Sequence, residues 1–200
     1  AKKQGAPKEF VEDLNSITTP STTGKLTTPD VLLKEGKIKD ISRNLEVIFT
    51  PGHDISEISI YDPSSKIIFS GDHILPRITP FIPIHDEETS MLNHYVDSLN
   101  KMKSFEHTKI APGHFEMIDN PQNRVEQILL HHEKRSEKII NILKDGELTG
   151  WEVTKKLFSR PLDAMNLRLA FQETMAHLKY IESQGKIKQK VSEVNTWSLT

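Results

Sequence analysis

The chain has 200 residues, with 26 Lys and Arg against 28 Asp and Glu and a formal net charge of −2. That balance gives no global positive field of the kind that draws nucleic acid, while the apolar content is enough for a real core in one or two domains. Cysteine is absent, which excludes disulfides and thiolate-held zinc, and no run is long enough to span a membrane or patterned as a signal peptide, so a cytoplasmic setting without a membrane partner is the expectation.

In chain order, residues 8–14 read as the end of a helix, and residues 18–29, rich in Thr, Ser, Pro and Gly, as loop. Residues 31–33 and 38–41 flank a Lys-Glu-Gly turn and predict a hairpin. Residues 45–49 form an apolar β-like run that ends on Thr50-Pro51-Gly52-His53. Residues 58–61 and 66–69 flank Asp62-Pro63-Ser64-Ser65, good turn chemistry for a second hairpin, whose outgoing strand leads to Ser70-Gly71-Asp72-His73. Leu92, Tyr95, Leu99 and Met102 recur at helical spacing, predicting a helix over 89–103 with the charges of 86–88 near its N-terminus. Residues 109–111 lead to Ala111-Pro112-Gly113-His114, and a helix is expected over 121–143, with Pro121 at its start. In the tail, Thr149 and Glu152 make a capping box, a longer helix runs over about 166–183, and residues 186–191 and 195–199 pair as a terminal hairpin.

Three of these strands are followed at once by a residue able to bind a metal: His53, Asp72 and His114. Loops fixed by a rigid sheet give such side chains exact positions, and a glycine before each ligand lets the backbone turn sharply or approach closely. Two imidazoles and a carboxylate are the donors of a zinc-like hydrolytic site.

With these motifs the chain resembles the metallo-β-lactamase superfamily, matching the last three of its five ligand motifs. The 19 residues from His53 to Asp72 and the wording Gly-Asp-His-Ile-Leu-Pro-Arg-Ile-Thr-Pro at 71–80 are similar to its lactamase-like endoribonuclease branch. The resemblance implies an α/β fold, a partial αββα sandwich over residues 1–121, followed by a linker helix and winged-helix domain over 122–200. It implies His53, Asp72 and His114 as metal ligands, Asp72 bridging, with two divalent ions, zinc or alternatively manganese or iron. The activity implied is hydrolysis by a metal-activated water of an ester, thioester, lactone or phosphodiester, with a small molecule or RNA as substrate and no side chain acting as nucleophile.

The family's first motif, H-x-H-x-D-H, has no counterpart here: no histidine precedes His53, and none of the nine forms an H-x-H pair. The expectation is a C-terminal part of a longer hydrolase, inactive alone and open to self-association; the alternative is a non-catalytic interaction module. His73 is expected to face away from the ligands and pack, and His131 and His132 to be exposed. His85, His94, His107 and His177 belong to no motif. Asp54 and Glu57 depart from the family's wording, which often has Ser or Thr and then His at these places, and so weigh against an anionic substrate near this loop. The tail from Glu147 carries eight Lys or Arg and six Asp or Glu, too little charge for a DNA-binding face.

Overall fold

The computed structural model describes residues 1–16, 28–39, 41–84 and 89–200. The main sheet has five strands: β1 (Gly36–Lys37), β2 (Glu46–Phe49), β3 (Ile58–Asp62), β4 (Ile67–Gly71) and β5 (Lys109–Pro112), in the order β1-β2-β3-β4-β5. The first three pairings are antiparallel and β4–β5 is parallel, its crossover supplied by helix α2 (Met91–Met102). Asp62 closes the β3–β4 turn, accepting from the Ser64 amide and the Ser65 hydroxyl and pairing with Arg43 at 2.5 Å.

The strand period of two separates the sheet's faces. Ile48, Tyr61, Ile68 and Ile110 point one way and form a core with Leu92, Tyr95, Leu99 and Met102 of α2 and with Val125 and Ile128 of helix α3 (Pro121–Leu143). The other face carries Phe49, Ile58, Ile60, Phe69 and Ala111, with Phe49 42% and Phe69 47% exposed. An antiparallel sheet with one solvated face normally alternates apolar with polar residues, and this one does not.

A second core is built by helices α4 (Gly150–Leu157) and α5 (Ala164–Ser183), the end of α3, and a three-stranded sheet of β6 (Leu148–Thr149), β7 (Ile187–Lys190) and β8 (Thr196–Leu199), ordered β6-β8-β7. The expected capping box is present: the Glu152 amide donates to Thr149 Oγ1 at 3.2 Å, and Glu152 Oε2 accepts from the Thr149 amide at 2.8 Å. No strand of this sheet is ordered into the main one.

Several expectations change. Residues 31–33 form no strand; Gly36 and Lys37 pair with Val47 and Glu46 of β2, so the hairpin of 31–41 does not exist among the described residues, and residue 40 lies outside them. The expected loop at 18–29 mostly falls outside the described residues, as do His85 and the charges of 86–88. The first segment is helix α1 (Lys8–Ser16), which begins at Lys8 after Pro7 and so is not the tail of an earlier helix. It also crosses the expected boundary at 121: Phe10 lies in the second core, 4.7 Å from Trp151 and 5.5 Å from Phe171 between ring centroids. His132, expected to be exposed, is 2% exposed because it continues the buried stripe of α3 after Val125 and Ile128.

Candidate metal centre

Because β2 and β4 are both antiparallel to β3, and β5 is parallel to β4, the chain leaves β2, β4 and β5 at the same edge of the sheet. His53, Asp72 and His114 therefore all emerge there. The three exit loops are tied to each other and to α2. The Gly113 amide donates to the Gly71 carbonyl at 2.6 Å, and Ser98 of α2 donates to the Pro51 carbonyl at 2.9 Å. Two glycines permit close approaches: a Cβ on Gly113 would lie 2.7 Å from Asp72 Oδ1, and one on Gly52 would lie 2.6 Å from Tyr95 Cβ and 2.7 Å from its Cα.

His114 Nε2 stands 3.5 Å from Asp72 Oδ1. His53 reaches the centre differently. Its Nδ1 lies 2.7 Å from the Phe81 carbonyl, which can only accept, so Nδ1 carries the proton and Nε2 keeps the lone pair a metal would use. Between them sits Glu57, whose Oε1 accepts from the Asp72 amide at 3.0 Å and whose charge is within electrostatic reach of His53. Burial pushes its carboxyl up to about 7, against the pull of His53. Asp54 is taken up by its own turn, accepting from the Ser56 amide and hydroxyl at 2.8 and 2.6 Å. His73 is fully buried with its ring against Tyr95, and desolvation holds it neutral.

Two carboxylate oxygens here, Asp72 Oδ1 and Glu57 Oε2, are buried with no hydrogen-bond partner. Such orphans are rare unless something charged belongs beside them, and with two imidazoles they make a donor set suited to a divalent cation. The set is short of a full site: among the described residues, no three His, Cys, Asp or Glu side chains are grouped to hold a metal ion. Asp72 and His114 are brought together, while His53 joins them through Glu57.

The Lactamase_B model, described as the metallo-beta-lactamase superfamily, matches residues 10–114. The chain belongs to that superfamily. A model of the metallo-beta-lactamase-like C-terminal domain matches residues 137–198. Among superfamily relatives, the Beta-lactamase-like protein 2 homolog of Caenorhabditis elegans is 32% identical over 76% of this chain and 50% of its own length. The Probable metallo-hydrolase YqjP of Bacillus subtilis is 26% identical over 78% of this chain and 50% of its own. The crystal structure of a metallo-beta-lactamase family protein from Thermus thermophilus superposes with a TM-score of 0.76 at 26% identity, over 99% of this chain and 62% of that one. The chain thus spans about half the length of the curated superfamily relatives it matches.

Sequence reasoning did not find two residues that shape this centre. Glu57 stood out there only as a departure from the superfamily's wording. Arg124, near the start of α3, donates to the Leu75 and Ile78 carbonyls at 2.7 Å each and so clamps the loop that brings Phe81 to His53. A lone arginine at a helix start gives no signal of this.

Gly52→Ala is expected to cost about 1–3 kcal/mol, because its Cβ would meet the Tyr95 backbone and α2 cannot yield locally. Urea unfolding monitored by circular dichroism reads the loss; an unchanged midpoint would mean that the loop moves freely.

Proposed function

We propose that this chain carries the C-terminal share of a metal-dependent hydrolase, with His53, Asp72 and His114 as metal ligands. The observation that carries this reading is the orphaned Asp72 Oδ1 at the sheet edge where β2, β4 and β5 end, with His114 3.5 Å from it and His53 joined to it through Glu57. When bound, two divalent ions, zinc or else manganese or iron, would supply Lewis-acid activation of a water for attack on an ester, thioester, lactone or phosphodiester, RNA included. The protein's part is to hold donors in place. The Phe81 carbonyl fixes the His53 tautomer, Glu57 orients Asp72 through its amide, and Gly113 leaves room for the Asp72 carboxylate.

The apolar outer face of the main sheet and the greater length of the relatives support a further reading: residues upstream of Ala1 form the second layer and supply the missing histidines. A homo-oligomer is the other way to cover this face. Residues 122–200 are read as a linker helix and a winged-helix unit, since α4, α5 and the β7–β8 hairpin follow in that order, and as a substrate cover with no role in DNA binding. The absence of a three-donor group among the described residues favours the alternative, a non-catalytic module, only if no upstream ligands exist.

Metal analysis with esterase and ribonuclease assays tests the proposal on the purified chain and on a version extended upstream to the relatives' length. The 200-residue chain is expected to hold metal weakly and to turn nothing over; the longer one is expected to do both. Two tightly held metals with turnover in the short chain would refute the need for upstream ligands. A longer version with neither metal nor turnover would remove the hydrolase reading.

A further inference from the structure

His53 and Asp72 leave the sheet from β2 and β4, which are not neighbours, since β3 runs between them. Two strand spacings, roughly 9–10 Å, therefore separate their exits. Glu57 stands in that gap. It is the last residue before β3, and because β3 is antiparallel to both neighbours it enters at the edge where they end. Its carbonyl accepts from the Thr50 amide at 3.0 Å and closes the loop that carries His53. Backbone pairing thus holds Glu57 on the same rigid frame as the strand ends.

The side chain is half-buried, and its two oxygens differ. Oε1 accepts from the Asp72 amide at 3.0 Å, passing over Gly71, where a Cβ would lie 3.2 Å from it. Oε2 is buried and has no hydrogen-bond partner, like Asp72 Oδ1. The charge acts on both His53 and Asp72. Holding the Asp72 amide needs only a carbonyl oxygen, which a glutamine would offer without a second, bare anionic oxygen. Keeping that oxygen out of water and unpaired costs free energy that the amide bond does not return. The Asp72 carboxylate nearby adds repulsion, and a cation beside both reverses the two costs.

We propose that Glu57 is a direct ligand of the metal centre, giving its bare Oε2 to a divalent cation while Oε1 holds Asp72. The assignment rests on the metal centre proposed above and not on hydrolysis. The superfamily's wording often has His at this place, so the carboxylate is a feature of this chain. It gives each of the strands β2 to β5 one donor at the same edge: His53, Glu57, Asp72 and His114 in sheet order. With Asp72 it offsets more of the charge of two divalent ions than one carboxylate can.

Manganese(II), a paramagnetic ion that takes carboxylate donors, is titrated into the 200-residue chain, and broadening of amide signals reads the place and the affinity without any turnover. No three donors are grouped among the described residues, so a Kd of about 1 mM is expected, with broadening centred on residues 53, 57, 72 and 114. Glu57→Gln keeps an oxygen for the Asp72 amide and removes only the anionic donor. It is expected to weaken manganese about tenfold or more, as much as Glu57→Ala does. Asp54→Asn takes away the same charge three residues earlier, from a side chain engaged by its own turn, and is expected to change affinity less than about twofold. Glu57→Gln, the near-isostere, decides the matter alone if Glu57→Ala fails to fold. Glu57 leaves the ligand set if Glu57→Gln binds within about twofold of the unsubstituted chain, or if Asp54→Asn weakens binding as much as Glu57→Gln. If the short chain does not saturate by about 20 mM, the version extended upstream to the relatives' length is read the same way. No saturation in either removes the metal centre, and Glu57 with it; metal held through Glu57 without turnover removes only the hydrolase.

Discussion

Asp72→Ala, made in a version extended upstream to the relatives' length, is expected to lower hydrolytic turnover by about a thousandfold or more and to release bound metal. Removing even a hydrogen-bond partner of a metal ligand costs roughly 10–100-fold, and Asp72 is proposed to offer both oxygens directly. Gly113→Ala supplies a graded comparison. Its new Cβ would stand 2.7 Å from Asp72 Oδ1 and push the carboxylate aside without deleting it, for a loss of about 10–100-fold. Metal content and turnover should fall together in both variants while the unfolding transition stays cooperative. A fully metal-loaded, active Asp72→Ala protein would remove Asp72 from the ligand set.

Stability is expected to fall steeply as pH drops below about 6.5, the ordinary histidine value, because of the pair that α3 and α5 bury between them. His132 and His177 are 2% and 1% exposed, and their facing nitrogens, Nδ1 and Nε2, are 3.2 Å apart. His177 Nδ1 lies 2.8 Å from the Glu173 carbonyl, which accepts its proton. The bond between the rings therefore runs from His132 Nδ1–H to the bare His177 Nε2, and both rings are neutral. Desolvation first holds both far below the usual histidine range, aided at His132 by His177, His131 and Arg135 and at His177 by Arg135 and His131, with Glu173 opposing it at His177. The unfolded chain binds protons that the folded one refuses, so stability is present in full above about pH 6.5 and is lost below it. Each extra proton taken up on unfolding costs about 1.4 kcal/mol per pH unit. Urea midpoints at pH 7.5, 5.5 and 4.5 measure the slope, and a flat profile would show that the pair is not buried in solution.

Legibility followed chemistry that acts locally. The Asp62 turn, the Thr149 capping box, Pro121 at the start of α3 and the apolar stripes of α2 and α5 are each specified by residues a few positions apart, and all appear as read. The strand ends carrying His53, Asp72 and His114 were equally plain, since a glycine-led ligand after an apolar run is a short-range pattern. What escaped was pairing at long range. The partner of β1 is β2 and not residues 31–33, a choice between edges that no local pattern decides. His132 sits on the same stripe as Ile128 and Ile139, but its polarity masked its burial until His177, 45 residues on, supplied the partner. The contact of Phe10 with Trp151 and Phe171 had no sequence signature at all.

That last contact, with its neighbours, bears on the order in which the molecule assembles. The Asn195 amide donates to the Lys3 carbonyl at 2.6 Å, and the fully buried Trp197 donates through its indole to Gln4 Oε1 at 3.0 Å. The buried residues of the first core all lie within or before α3, with Tyr180 of α5 packed against its margin, so most of it can close while the ribosome is still making the tail. The second cannot close until Asn195 and Trp197 have been made, and it then joins them to Lys3 and Gln4 across a very long loop, the slowest kind of contact to form. Until that moment Phe10, Trp151 and Phe171 have no complete cover, and a nascent chain paused short of Trp197 would present them to chaperones.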